Sequence, residues 1–298
     1  MVPFIRPSKL FEGVPSHSTV HVFSKALQFL DYNNMAAAVA DIGFDGVDLS
    51  VRPGGHVLPE NVGNDLPKAV SVLKKHGLQS IMMTTSIKDS GDRVSQNVLR
   101  TAASLGLKYF RTDWFRYPEK GSMPETLKGY EKKLNSLAAL AASLGIQGSY
   151  QNHAGNYVGA SVWEMYELVK SSDKNGMGCQ FDIRHAVVEG GLSWPQNLRL
   201  LAPYINTIVV KDFLWQKIDG KWSVVDVPLG EGMVDFPKYF SLLRQYGLNV
   251  PISLHCEYPL GGAEHGARQI SVDKKVVLDA IQKDLTRLKT WLKEAGLN

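Results

Sequence analysis

The sequence predicts an α/β chain folded as a single (β/α)₈ barrel, and three observations carry that prediction. Short β-type runs alternate with longer helical runs along the whole chain, and 298 residues over eight such units gives about 37 residues per unit. Helix-ending glycines are followed by an apolar strand at Ile42-Gly-Phe, His76-Gly-Leu, Leu105-Gly-Leu, Leu144-Gly-Ile and Tyr246-Gly-Leu. The first strand runs into Phe23-Ser-Lys-Ala-Leu27, without the Gly-x-Gly-x-x-Gly that opens a dinucleotide-binding open sheet.

In order, strands are expected at 20–24, 46–51, 78–84, 108–112, 146–151, 178–182, 207–212 and 250–257. Helices are expected after them at about 35–42, 65–76, 98–105, 124–144, 161–170, 194–201, 236–246 and 274–292. The strands are short β-type runs and the helices longer runs between them. No boundary divides the barrel, which spans 19–298 behind a short extension at 1–18. Longer connections fall near 51–64, 213–234 and 258–273. In the second of these, Asp219-Gly220 predicts a tight hairpin turn within a stretch long enough to act as a lid.

Composition narrows the function classes. Apolar residues make up 44% and charged residues 21%, which suits a packed core. The net charge of +4 is spread without a run of Lys or Arg, so no nucleic-acid partner is expected. No apolar stretch approaches the roughly 20 residues of a membrane span, and no membrane partner is expected either. The first 18 residues hold three prolines and no apolar leader core, so the expected location is cytoplasmic. Cys179 and Cys256 each lie in a strand-like apolar run and read as buried free thiols.

In a parallel barrel the site forms at the C-terminal ends of the strands. Five of the eight histidines, His56, His153, His185, His255 and His265, fall at or just past such ends. His76 belongs to a helix terminus, where a cation suits the dipole. On the same face lie Arg52, Arg111, Trp114, Gln151, Asp182, Arg184, Lys211 and Glu257. Carboxylate, imidazole and amine groups so placed can coordinate a divalent metal or move protons beside a carbonyl. The arginines suit a phosphate or carboxylate, and Trp114, Trp215 and Trp222 suit a sugar ring or ordinary loop packing. Only alternate strand residues face inward, so some of this set is structural.

The ordered pieces Gly43-Phe-Asp-Gly-Val-Asp48, Tyr150-Gln-Asn-His-Ala-Gly155, Phe181-Asp-Ile-Arg-His185, Val210-Lys-Asp212 and Pro228-Leu-Gly-Glu-Gly-Met-Val-Asp235 resemble the xylose-isomerase-like TIM barrels, the sugar phosphate isomerase/epimerase superfamily that also contains endonuclease IV. The resemblance covers about 19–298. It implies a small sugar or sugar-derivative substrate, proton transfer next to a carbonyl, a divalent metal, and often a homo-oligomer. It also implies four metal ligands: Glu, Asp, His and Glu on strands five to eight. Here Gln151 stands at the first, Asp182 matches the second, Val209 stands at the third and His255 at the fourth, with Glu257 two residues on. A glutamine amide is no general base and valine coordinates nothing, so the family's two-glutamate mechanism does not transfer intact.

Two arrangements remain open at this level. In one, Asp182 and His255 hold Mn²⁺ or Zn²⁺, completed by His153, His185 or Glu257. In the other no metal takes part, and Lys211, His153 or His255 moves the proton. The catalytic candidates are His153, Lys211 and Glu257; the substrate-binding candidates are Arg52, His56, Arg111, Trp114, Gln151, Arg184 and His185. An isomerase or epimerase is the leading expectation. A keto-sugar lyase or a sugar-binding barrel with impaired catalysis are the alternatives. The multi-zinc cluster of an endonuclease needs more ligands than these residues supply.

Overall fold

The computed structural model describes residues 18–297. The expected N-terminal extension at 1–18 lies outside the described residues except for Ser18, whose amide donates to the Leu297 carbonyl at 3.1 Å and so ties the two ends of the barrel together. Eight parallel strands close in the order β1 (Val20–Phe23), β10 (Ile252–Leu254), β7 (Ile205–Val210), β6 (Met177–Asp182), β5 (Gln147–Gln151), β4 (Tyr109–Arg111), β3 (Gln79–Thr85) and β2 (Gly46–Val51), which pairs back onto β1. The expected barrel is therefore the observed one.

Helices α1 (Tyr32–Ile42), α2 (Val62–Lys75), α3 (Arg93–Leu105), α4 (Met123–Ser143), α5 (Val162–Val169), α7 (Trp194–Leu201), α8 (Phe236–Gln245) and α9 (Lys274–Ala295) follow the strands. Local chemistry sets their ends. Asp31, Asp92, Ser122 and Asp235 each accept a backbone amide three residues on, and Gly43 and Gly106 close α1 and α3 at positive φ of 95° and 86°. One helix was not foreseen: α6 (Ile183–Gly190) starts directly at the end of β6 with Asp182 as its cap. Its sequence reads as loop because β6 and α6 share a boundary with no turn residue between them.

The strands β8 (Asp212–Ile218) and β9 (Lys221–Val227) form a separate antiparallel ribbon that leaves the barrel just past the C-terminal end of β7. Asp219 and Gly220 both have positive φ, 48° and 78°, as a two-residue hairpin turn demands. The stretch expected as a small hairpin is thus a seven-residue ribbon arm paired along its length. At its base, Asp212 accepts amides from Phe213, Gly230, Gly232 and Val234 at 2.9–3.2 Å, which folds the Pro228–Asp235 loop back onto the barrel.

The interior is unusually polar for this architecture, where bulky branched residues commonly fill the layers. Ser253 on β10 donates to Asp48 on β2 at 2.6 Å, across the intervening β1, so both side chains point inward. Thr84 donates to the same carboxylate at 3.1 Å. Ser149 on β5 reaches Asn206 just inside β7 at 2.7 Å, across β6. The apolar core lies in the shell between strands and helices, with Phe110, Tyr150, Phe181, Tyr239 and Phe240 fully buried. Both cysteines are free and buried, as expected. No helix among the described residues is long and apolar enough to cross a membrane.

Candidate active site

The centre of the mouth is an ammonium between two carboxylates. Lys211, one residue past β7, lies 2.6 Å from Glu257 Oε2 and 3.4 Å from Asp182 Oδ2. The other Glu257 oxygen is taken by Lys25, which stands two residues past β1. Gln151 at the end of β5 donates its amide to Asp182 Oδ2 at 2.8 Å. Burial alone lowers the Lys211 ammonium, but Asp182 and Glu257 outweigh it and hold it above its ordinary value, fully charged. Burial opposes ionisation of Glu257 as well, yet Lys211 and Lys25 keep its carboxyl well below the usual range.

Three imidazoles surround this pair, and all are neutral because burial disfavours the cation. His153 falls to about 4 and His255 to about 3, while His185 lies well below its ordinary value. Partners assign the tautomers. His153 Nδ1 contacts the Ala154 carbonyl at 2.9 Å and must donate, leaving the lone pair on Nε2. His185 Nδ1 accepts from Arg184 at 3.0 Å, so its proton is on Nε2, 3.5 Å from Asp182. Ser253 spends its only proton on Asp48, so it accepts from His255 Nε2 at 3.1 Å and the His255 lone pair is on Nδ1.

The walls are aromatic. His153 packs edge-on against Trp114 at 4.5 Å and lies 4.1 Å from the His185 ring. His255 stacks on Phe23 at 4.4 Å. Arg111 lies over the Trp114 ring at 4.1 Å, and Arg52 lies 5.3 Å from the Phe23 centroid.

The sequence-derived candidates divide accordingly. Lys211, Glu257, Asp182, Gln151, His185, His153 and His255 come together, with Trp114, Arg111 and Arg52 around them. Arg184 pairs with Asp226 of the ribbon at 2.8 Å and tethers it to α6. His56 is turned toward α1: its ring faces the Leu30 carbonyl at 3.3 Å and its own carbonyl accepts from Tyr32. His265 is exposed beside Glu264. Sequence reasoning passed over Lys25, Phe23, Asp48, Ser253 and Asp226. The first two had a readable signal, since they end and follow the first strand just as Asp182 and Lys211 do theirs.

The donor set does not fit the divalent metal that the family resemblance implies. Each carboxylate near the centre already accepts from a protonated nitrogen: Asp182 from Gln151 and Lys211, Glu257 from Lys211 and Lys25. Val209, paired in register with Asp182, offers no donor. Among the described residues no group of three or more His, Cys, Asp or Glu is arranged to hold a metal ion.

Known proteins share this architecture. No curated protein matches the chain in sequence. Among solved structures it is similar to D-psicose 3-epimerase with D-tagatose from Clostridium cellulolyticum H10, at 14% identity and a TM-score of 0.69, covering 92% of this chain and 99% of that one. It is similar to D-allulose 3-epimerase from Methylomonas sp., at 17% identity and 0.67, covering 94% and 99%. It is also similar to the probable 3-DHS dehydratase AsbF involved in petrobactin synthesis from Bacillus anthracis, at 16% and 0.65, covering 90% and 98%. At these identities the likeness is one of fold. The family model for the xylose isomerase-like TIM barrel matches residues 36–271, and the chain belongs to that family.

Proposed function

We propose that the protein is a carbohydrate isomerase or epimerase that moves a proton next to a carbonyl, with Lys211 in the place of a metal. The observation that carries this reading is the charged Lys211 ammonium, held by Asp182 and Glu257 with a neutral imidazole on either side. Around the barrel, His255 comes from β10, Lys211 from β7 and His153 from β5. The substrate carbonyl oxygen docks on the ammonium. His153 Nε2 takes the proton from the adjacent carbon, and the electron pair moves onto that oxygen as an enediolate.

A fixed ammonium aimed at a developing oxyanion in a dry site lowers the barrier without reorganisation. Glu257 and Asp182 keep Lys211 protonated and immobile; Glu257, low in pKa and held by two lysines, is a poor base. Delivery of a solvent proton to the other face of the same carbon, with His153 releasing its own proton to solvent, gives an epimer. Returning it to the neighbouring carbon gives an isomer. The fold likeness to a dehydratase supports one further reading: the same enediolate can expel a β-hydroxyl, which makes a lyase.

Incubation of ketoses in D₂O tests the proposal. Solvent deuterium in product or recovered substrate is expected, at a rate unchanged by prior chelation. Exchange that disappears with the chelator and returns with a divalent ion overturns the metal-free mechanism. Its absence across the whole panel overturns the proton-transfer reading.

A further inference from the structure

Resting on that carbohydrate reading, we infer that the substrate carries an anionic group, a carboxylate or a phosphate, and that Arg52 and Arg111 form its subsite. Arg111 ends β4 and is only 4% exposed. Its Nη2 donates to the Thr85 carbonyl at 3.3 Å, but its Nη1 is buried with no hydrogen-bond partner. Among the described residues no carboxylate lies within ion-pair distance of either guanidinium. The acids that sense them are committed elsewhere: Asp48 to Ser253 and Thr84, Glu257 to the two lysines, and Asp113 to Lys88 at 3.3 Å.

The contrast with Arg184, which has Asp226, is informative. A buried cation left without a counter-charge is strongly unfavourable, and stacking the guanidinium on an aromatic ring recovers only part of that cost. The two arginines also repel one another. Burial and then the Arg52 charge push Arg111 down to about 10. An anion between them removes both penalties. Two guanidinia held against Phe23 and Trp114 present forked N–H pairs, which match the oxygens of a carboxylate or phosphate.

Position links this subsite to the chemistry. The Trp114 indole touches both Arg111, at 4.1 Å, and His153, at 4.5 Å. Subsite and base thus share one aromatic neighbour, so a single small sugar acid or sugar phosphate can reach both.

The test is calorimetric titration of the wild-type protein with inorganic phosphate, fructose 6-phosphate and glucuronate, with fructose as the neutral control. At least one anion is expected to bind saturably, one per chain, and more tightly than fructose. Preference for the phosphates identifies a sugar phosphate, and preference for glucuronate a sugar acid. Arg52→Met and Arg111→Met are each expected to weaken binding by about tenfold or more, the loss of one charge-assisted pair. If Arg111→Met fails to fold, Arg52→Met, at a half-buried position, decides. No anion binding, fructose binding as tightly as the anions, or folded variants binding like wild type overturns the inference. His153→Asn separates the two proposals: it should bind the anion unchanged while exchange is lost. Anion binding by a wild type that exchanges no proton sinks the catalytic reading alone, whereas exchange of neutral ketoses with no anion binding sinks the subsite alone.

Discussion

At the residue scale, each group in the mouth has one protonation state imposed by its neighbours. Lys211 stays charged because Asp182 and Glu257 outweigh its burial, and the histidines stay neutral because burial outweighs everything near them. Lys211→Met keeps the length and removes the charge. It is expected to slow solvent-deuterium exchange by about 10²–10³-fold, the usual loss for one preorganised oxyanion donor. His153→Asn is expected to cost about 10²–10⁴-fold in kcat with little change in KM, since it removes a general base and not a binding contact. Single-turnover exchange on both variants checks this. Equal KM and kcat losses in His153→Asn would point to a role in binding.

At the element scale, glycines set how closely helices approach the barrel. A Cβ on Gly176, in the turn before β6, would lie 1.9 Å from the Ala138 carbonyl of α4. Both partners are backbone, so α4 must move. Gly176→Ala is expected to destabilise by about 1–3 kcal/mol, as overpacking does, and urea unfolding measures it. A midpoint within error of wild type would show that α4 can yield. The same scale explains why Asp182 is held so firmly. It ends β6 and caps α6 by accepting the His185 amide at 3.2 Å, while Asn152 holds its backbone through both N–H and carbonyl. Its freedom is exhausted before a substrate arrives.

At the scale of the whole molecule, buried neutral histidines make stability depend on pH. His21, His56 and His153 titrate at about 4 and His255 at about 3 in the folded protein, with His185 also well below 6.5. Unfolding releases them to about 6.5, so between these values the unfolded chain binds more protons than the folded one. Stability therefore falls as pH drops from about 6.5 toward about 4. Asp48, Asp182, Asp212 and Asp284, raised by burial, act in the opposite sense, but the five histidines outnumber them. Glu257, held low by its lysines, adds to the loss toward acid. Tm measured across this window should fall steadily toward acid, and a flat profile would contradict the assigned neutral states.

Much of this was legible in the sequence, and the boundary is physical. Strand and helix periodicity, caps such as Asp31 and Gly43, and the Asp219-Gly220 turn are local, so the eight units and their order follow from residues a few positions apart. Because a parallel barrel collects its strand ends on one face, Asp182, His185, Lys211, His153 and Glu257 were also legible as neighbours of one mouth. Which partner each group takes was not. Lys25 reaches Glu257 from 232 residues away, and Ser253 reaches Asp48 from 205. Gln151, read as a lost ligand, becomes a donor to Asp182 only once β5 and β6 are side by side. His56, a strand-end histidine by position, turns toward α1. Sequence alone determined the secondary elements and the face on which the chemistry stands, since both depend on local patterning and chain order. The tertiary structure alone decided charge, tautomer and pairing, because these depend on distances and burial that exist only after the barrel has closed.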